Sequence, residues 1–168
     1  MKRYLPLFAL FAATPAFAHT GVDHVHSFAS GLMHPFTGLD HLAAMLATGF
    51  IGSAYAGMRK LAAPAAFLAA MVAGYGLALS GMTLPEVETV ILASVVVLGA
   101  LCLIPQRVVT TSLLAAGFAV FHGYAHGVEA GAASALPFGL GFVLGSALLM
   151  GFGLSAGMVA RRKVVSAA

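Results

Sequence analysis

The chain has 168 residues, 61% hydrophobic and 8% charged, with a mean hydropathy of +1.00. A soluble domain carries about 25% charged residues, so eight basic and five acidic side chains cannot coat a water-exposed surface; a soluble enzyme and a disordered tail are both excluded, and the chain reads as an integral membrane protein. The pI of 9.4 comes from scattered cations without a basic stripe, which excludes nucleic acid as a partner, and the lone Cys102 excludes a disulfide framework or a cysteine-based metal cluster.

In chain order, residues 1–18 have the layout of a cleavable signal peptide. Lys2 and Arg3 form a positive n-region, Leu5 to Ala13 is apolar but too short to span, and Ala16-Phe17-Ala18 is a small-residue cleavage site. The mature chain then begins at His19, with a free amine beside its imidazole and six basic against five acidic residues. Residues 19–37 are expected to form a polar, histidine-containing periplasmic segment. Five apolar segments follow, at Gly38–Ala56, Leu61–Ser80, Glu88–Ile104, Val108–His126 and Phe138–Ala160. Each approaches the roughly 20 residues that cross a bilayer as a helix, and helices satisfy their own backbone groups in lipid. The expected fold is therefore all-α, a single bundle of five transmembrane helices over residues 38–160 with a tail at 161–168.

The connections carry the orientation. Arg59 and Lys60 fall in the first loop, Arg107 in the third, and Arg161, Arg162 and Lys163 in the tail. The second loop (residues 81–87) and the fourth (127–137) hold glutamates and no cation. By the positive-inside rule the mature N-terminus lies outside and the C-terminus inside. Pro64, Pro85, Pro105 and Pro137 stand at or near segment ends, where a missing N–H costs little. Thr83-Leu84-Pro85-Glu86 reads as a capping box opening the third helix, and Thr37-x-x-Asp40 as one opening the first. Gly141-x-x-x-Gly145 and Gly153-x-x-x-Gly157, with Gly74, Gly76 and Gly81, are spaced for close helix contact, within one bundle first, with a homo-oligomer face as the alternative.

Seven histidines carry the chemistry, in three groups: His19, His24 and His26; His34 and His41; His122 and His126. Helical periodicity puts His41 and Met45 on one face, and His122, His126 and Glu129 on another if the helix persists. The first helix starts outside and the fourth starts inside, so Asp40 and His41 reach the same outer depth as His122 and His126. Ionisable groups within spans are costly and mark function. Imidazole and carboxylate donors without thiolate suit Ni, Co, Zn, Fe or Cu(II) better than Cu(I). Glu129 is expected at the solvent edge, and Thr48, Ser53 and Thr111 are candidates for the path beyond. Two other classes use the same residues: a membrane-embedded metal-dependent hydrolase with His/Asp/Glu-bound zinc activating water, and a bis-histidine haem carrier, which leaves the carboxylates without a role. No Walker motif is present, so ATP drive would need another subunit.

The run His34-Pro35-x-x-Gly38-x-Asp40-His41-x-x-x-Met45 resembles the signature of the HupE/UreJ family of nickel/cobalt permeases, and His122-Gly123-x-x-His126-Gly127-x-Glu129 resembles that family's second element. The resemblance covers essentially the whole chain. It implies a non-enzymatic inner-membrane permease importing Ni²⁺ or Co²⁺ for hydrogenase or urease maturation, with no prosthetic group. It also implies that His34, Asp40, His41, His122, His126 and Glu129 handle the metal.

Overall fold

The computed structural model describes residues 27–166, without the side chains of 131–133 and 164–166. The segment expected to be a signal peptide and His19, His24 and His26 lie outside the described residues. All regular elements among the described residues are helices: α1 (Phe28–Met33), a 3-10 turn (His34–Phe36), α2 (Leu39–Gly52), a second 3-10 turn (Gly57–Leu61), α3 (Ala62–Leu79), α4 (Val87–Leu101) and α5 (Val108–Ser166). Three helical stretches are long and apolar enough to cross a membrane: Gly57–Leu79, Val108–Ala130 and Ser134–Lys163. Leu39–Gly52 and Val87–Leu101 are shorter apolar helices.

The polarity of the bundle is inverted relative to a soluble domain. Val72, Leu92, Val96, Leu113, Leu140, Leu148 and Phe152 are each more than half exposed, whereas Thr48, Ser94, Thr111, His122 and Ser146 are fully buried. A continuous apolar exterior of this extent is a lipid-facing surface.

α5 is the longest element, and its helical backbone continues through residues 127–137, where a loop was expected. Alanine is the best helix former, and the Ala-rich run there keeps helical geometry with Pro137 inside the element. The direction nonetheless reverses. His126 and Phe142 would stand about 24 Å apart along a straight helix, yet their ring centroids are 4.2 Å apart. The two arms, Val108–Ala130 and Ser134–Lys163, therefore fold back on one another. Tyr75 Oη donates to the Ala135 carbonyl (2.7 Å) beside this reversal, and Pro137 supplies no N–H to hold it straight.

Glycines set the helix spacing. A Cβ on Gly74 would run into the Val120 backbone, and one on Gly123 into that of Met71, so α3 lies against the first arm of α5. Gly49 meets Met150 and Leu154, and Gly153 meets Leu46, so α2 runs parallel to the second arm. Gly141 and Gly145 similarly admit the backbone of Leu32, and Gly157 admits Ser53 and Phe50. These contacts are all within the chain. Gly76 and Gly81 depart from the expected pattern: nothing lies within 4 Å of either added Cβ, and Gly81 serves a turn at φ +79°.

α1 was not foreseen in the segment expected to be polar. Ser27 caps it by accepting from Ser30 N (3.1 Å) while the Ser30 hydroxyl accepts from Ser27 N (2.8 Å). α1 and α2 follow one another along the second arm of α5, Gly31 against Phe138 and Gly49 against Met150, as one rod broken at His34–Gly38. Neither expected capping box forms. Pro85 disfavours helical geometry at Leu84, so α4 starts only at Val87, after Glu86 in the left-handed region (φ 57°). α2 starts from Gly38 in extended geometry without a side-chain cap, because the Thr37 hydroxyl donates to the His34 carbonyl (2.7 Å).

Candidate metal centre

The break in the α1–α2 rod exposes His34 to the bundle interior and sets Asp40 and His41 in the first turn of α2. Opposite them, the first arm of α5 presents His122, His126 and Glu129 at successive turns. His41 meets His122 with ring centroids 4.5 Å apart and His126 at 4.3 Å, both edge to face. His34 approaches His126 from the other side at 4.5 Å. Residues from two distant motifs thus form one contiguous imidazole cluster, floored by Phe67 against His122 and walled by Phe142 against His126.

Burial is deep: His41 is 6% exposed, His122 0% and His126 1%. His41 Nδ1 lies 2.9 Å from Asp40 Oδ1, which also accepts from the His41 backbone N–H (2.8 Å). His126 Nδ1 lies 2.9 Å from Glu129 Oε2. An ionised carboxylate only accepts, so each of these Nδ1 atoms carries a proton, and in a neutral ring the opposite nitrogen is then a bare lone pair. Those opposite nitrogens, His41 Nε2 and His126 Nε2, are buried without a hydrogen-bond partner, as is His122 Nδ1. Leaving a buried polar atom unsatisfied costs roughly 1–3 kcal/mol, and three in contiguous rings is the arrangement expected of nitrogens that receive an ion.

Glu129 is more exposed than the inner imidazoles, and it is also engaged by two rings. Its Oε2 lies 3.2 Å from His34 Nε2 as well as 2.9 Å from His126 Nδ1, and its side chain is 22% exposed. Donor atoms of His34, His126 and Glu129 all lie within 4.8 Å of one another. His126 therefore belongs both to this outer trio and to the inner imidazoles. Asp40 is bonded to its own neighbour, an arrangement that suits orienting the His41 ring. Ligand histidines typically donate their second ring N–H to such a carboxylate.

Met45 is fully buried in the apolar core. The hydroxyls proposed for an onward path are each engaged locally: Thr48 with Ala44 O, Ser53 with Phe50 O and Arg161 Nε, Thr111 with Arg107 O and Tyr55 Oη. A cavity of about 330 Å³ opens at that end of the bundle, lined by Tyr55, Cys102, Gln106 and Arg161 among others. Sequence reasoning missed Ser94, whose buried hydroxyl lies 2.8 Å from His122 Nε2; one serine in an apolar helix gives no signal of its own.

The sequence family described as "HupE / UreJ protein" matches residues 7–168. Protein HupE of Rhizobium leguminosarum bv. viciae is 37% identical over 154 residues, covering 89% of this chain and 80% of that protein. No solved structure matches. With the family match spanning nearly the whole length and both histidine motifs meeting in one buried cluster, the chain belongs to the HupE/UreJ family.

Proposed function

We propose that this protein is a secondary permease that imports a divalent transition metal, Ni²⁺ first and Co²⁺ second, across the inner membrane to supply hydrogenase or urease maturation. The observation that carries the reading is the set of three buried, unpartnered ring nitrogens on His41, His122 and His126. The ion is first held by His34, Glu129 and His126, then passes through the shared His126 to the inner imidazoles. His19, His24 and His26, on the segment freed by signal-peptide cleavage, raise the local metal concentration at the outer mouth. Neutral imidazoles suit a transport site, since conduction requires that the ion leave again. A helix broken where it lines a binding site, as at His34–Gly38, is a recurring device of transporters.

In this reading the chain crosses the bilayer five times, with α2 and α4 as short spans and the reversal in α5 separating the last two. Supporting the orientation, Arg161 reaches Ser53 and Tyr55 reaches Gln106, so the cationic segments gather at one end of the bundle, away from His34 and Glu129. That end is cytoplasmic by the positive-inside rule. The test is metal accumulation by cells with and without the protein, across Ni, Co, Zn and Mn. Uptake of Ni²⁺ above background is expected; equal accumulation in both strains together with metal-dependent hydrolysis by the purified protein would favour the hydrolase instead.

A further inference from the structure

We propose that Ser94 is a positioning residue that fixes the tautomer of His122, holding its proton on Nε2 and leaving the Nδ1 lone pair directed at the cluster. The Ser94 hydroxyl has one hydrogen, and its oxygen lies 2.6 Å from the Ile91 carbonyl oxygen. Two oxygens at that distance need a hydrogen between them, and a carbonyl has none to give. The serine proton is therefore committed to Ile91, and towards His122 Nε2, at 2.8 Å, the serine oxygen can only accept. Nε2 must carry a proton, and in the neutral ring His122 Nδ1, buried without a partner, is the bare nitrogen.

The ring has no room to exchange its two nitrogens. It is fully buried, with His41 edge-on at 4.5 Å and Phe67 at 5.6 Å. Ser94 thus does for His122 what Asp40 does for His41 and Glu129 for His126, with one difference. A neutral hydroxyl replaces a carboxylate, so the deepest of the three imidazoles is oriented without a further negative charge, and the ion held there is bound less tightly than a third carboxylate would bind it. Ser94 itself touches no ion. The consequence for metal rests on the permease reading above; the hold on the ring does not.

The test uses the full-length protein with ¹⁵N-labelled histidine in detergent micelles. Without metal, His122 should show a protonated-type Nε2 and a pyridine-type Nδ1; a protonated Nδ1 overturns the proposal. On adding Zn²⁺ as a diamagnetic probe, the Nδ1 signal should move while Nε2 stays protonated. A correct tautomer with an Nδ1 that ignores Zn²⁺ supports the role of Ser94 and overturns the metal centre instead, so the two failures are separable. Ser94→Ala should weaken Zn²⁺ binding by roughly ten- to a hundred-fold, the usual effect of losing a ligand's orienting partner, and Ser94→Thr, which keeps the hydroxyl, should restore most of it. Unchanged Zn²⁺ affinity and His122 signals in Ser94→Ala would overturn the proposal.

Discussion

His41 and His122, from helices far apart in the sequence, meet edge to face with ring centroids 4.5 Å apart, each with one buried nitrogen that no protein atom satisfies. Groups that serve one ion act as a unit, and coupled residues are non-additive when removed. His41→Ala and His122→Ala should each nearly abolish metal uptake while the protein still inserts, and the double variant should be little worse than either. Partial losses that multiply would mean that the ion visits the two rings separately.

Glu129 joins His34 to His126 through a single oxygen, Oε2. Removing it frees two rings at once and takes the acceptor from His126 Nδ1, so Glu129→Ala should impair uptake as severely as His126→Ala. Glu129→Gln keeps a carbonyl oxygen able to accept from one ring and should retain intermediate uptake. Transport by Glu129→Ala at near wild-type rate would remove Glu129 from the centre.

The pairing of the two histidine motifs was legible because it rests on helical periodicity and loop charge, both of which are properties of the sequence. The boundaries of the middle helices were legible for the same reason: Leu61–Ser80 and Glu88–Ile104 were expected, and Ala62–Leu79 and Val87–Leu101 are found. What escaped depends on three-dimensional neighbours. α1 is too short for a periodic signal and is held by a Ser27/Ser30 box and by contact of Gly31 with Phe138. The helical backbone through residues 127–137 looked like a loop because glycine and Pro137 bracket an alanine run. The orienting roles of Asp40 and Ser94 depend on which ring nitrogen each faces, which spacing does not encode.

The glycine contacts predict a selective pattern of substitution. A methyl on Gly74 or Gly123 would strike backbone across the α3–α5 contact, whereas one on Gly117 or Gly151 meets nothing within 4 Å. Overpacking a core typically costs about 1–3 kcal/mol, and backbone yields less readily than a side chain. Gly123→Ala should lower the thermal stability of the solubilised protein and, by shifting its neighbour His122, reduce uptake. Gly117→Ala and Gly151→Ala should do neither; equal effects from all four would argue against glycine-mediated contact.

Orientation is the last expectation open to direct test. Arg59 and Lys60, Arg107, and Arg161 to Lys163 lie on segments tied together by the Arg161–Ser53 and Tyr55–Gln106 hydrogen bonds, while Glu129 and His34 stand on the opposite side of the bundle. Cations near helix ends are retained on the cytoplasmic side during insertion, so that end should face inward and the histidine cluster outward. A reporter active only in the periplasm, fused after Ala168, should give no signal, and the same reporter inserted after Gly81 should give a strong one. α4 and the two arms of α5 separate Gly81 from Ala168, so opposite signals from the two fusions mean an odd number of crossings between them. A strong signal from the Ala168 fusion with none from the Gly81 fusion would mean that the bundle is inverted, and would turn the imidazole cluster into an exit rather than an entrance.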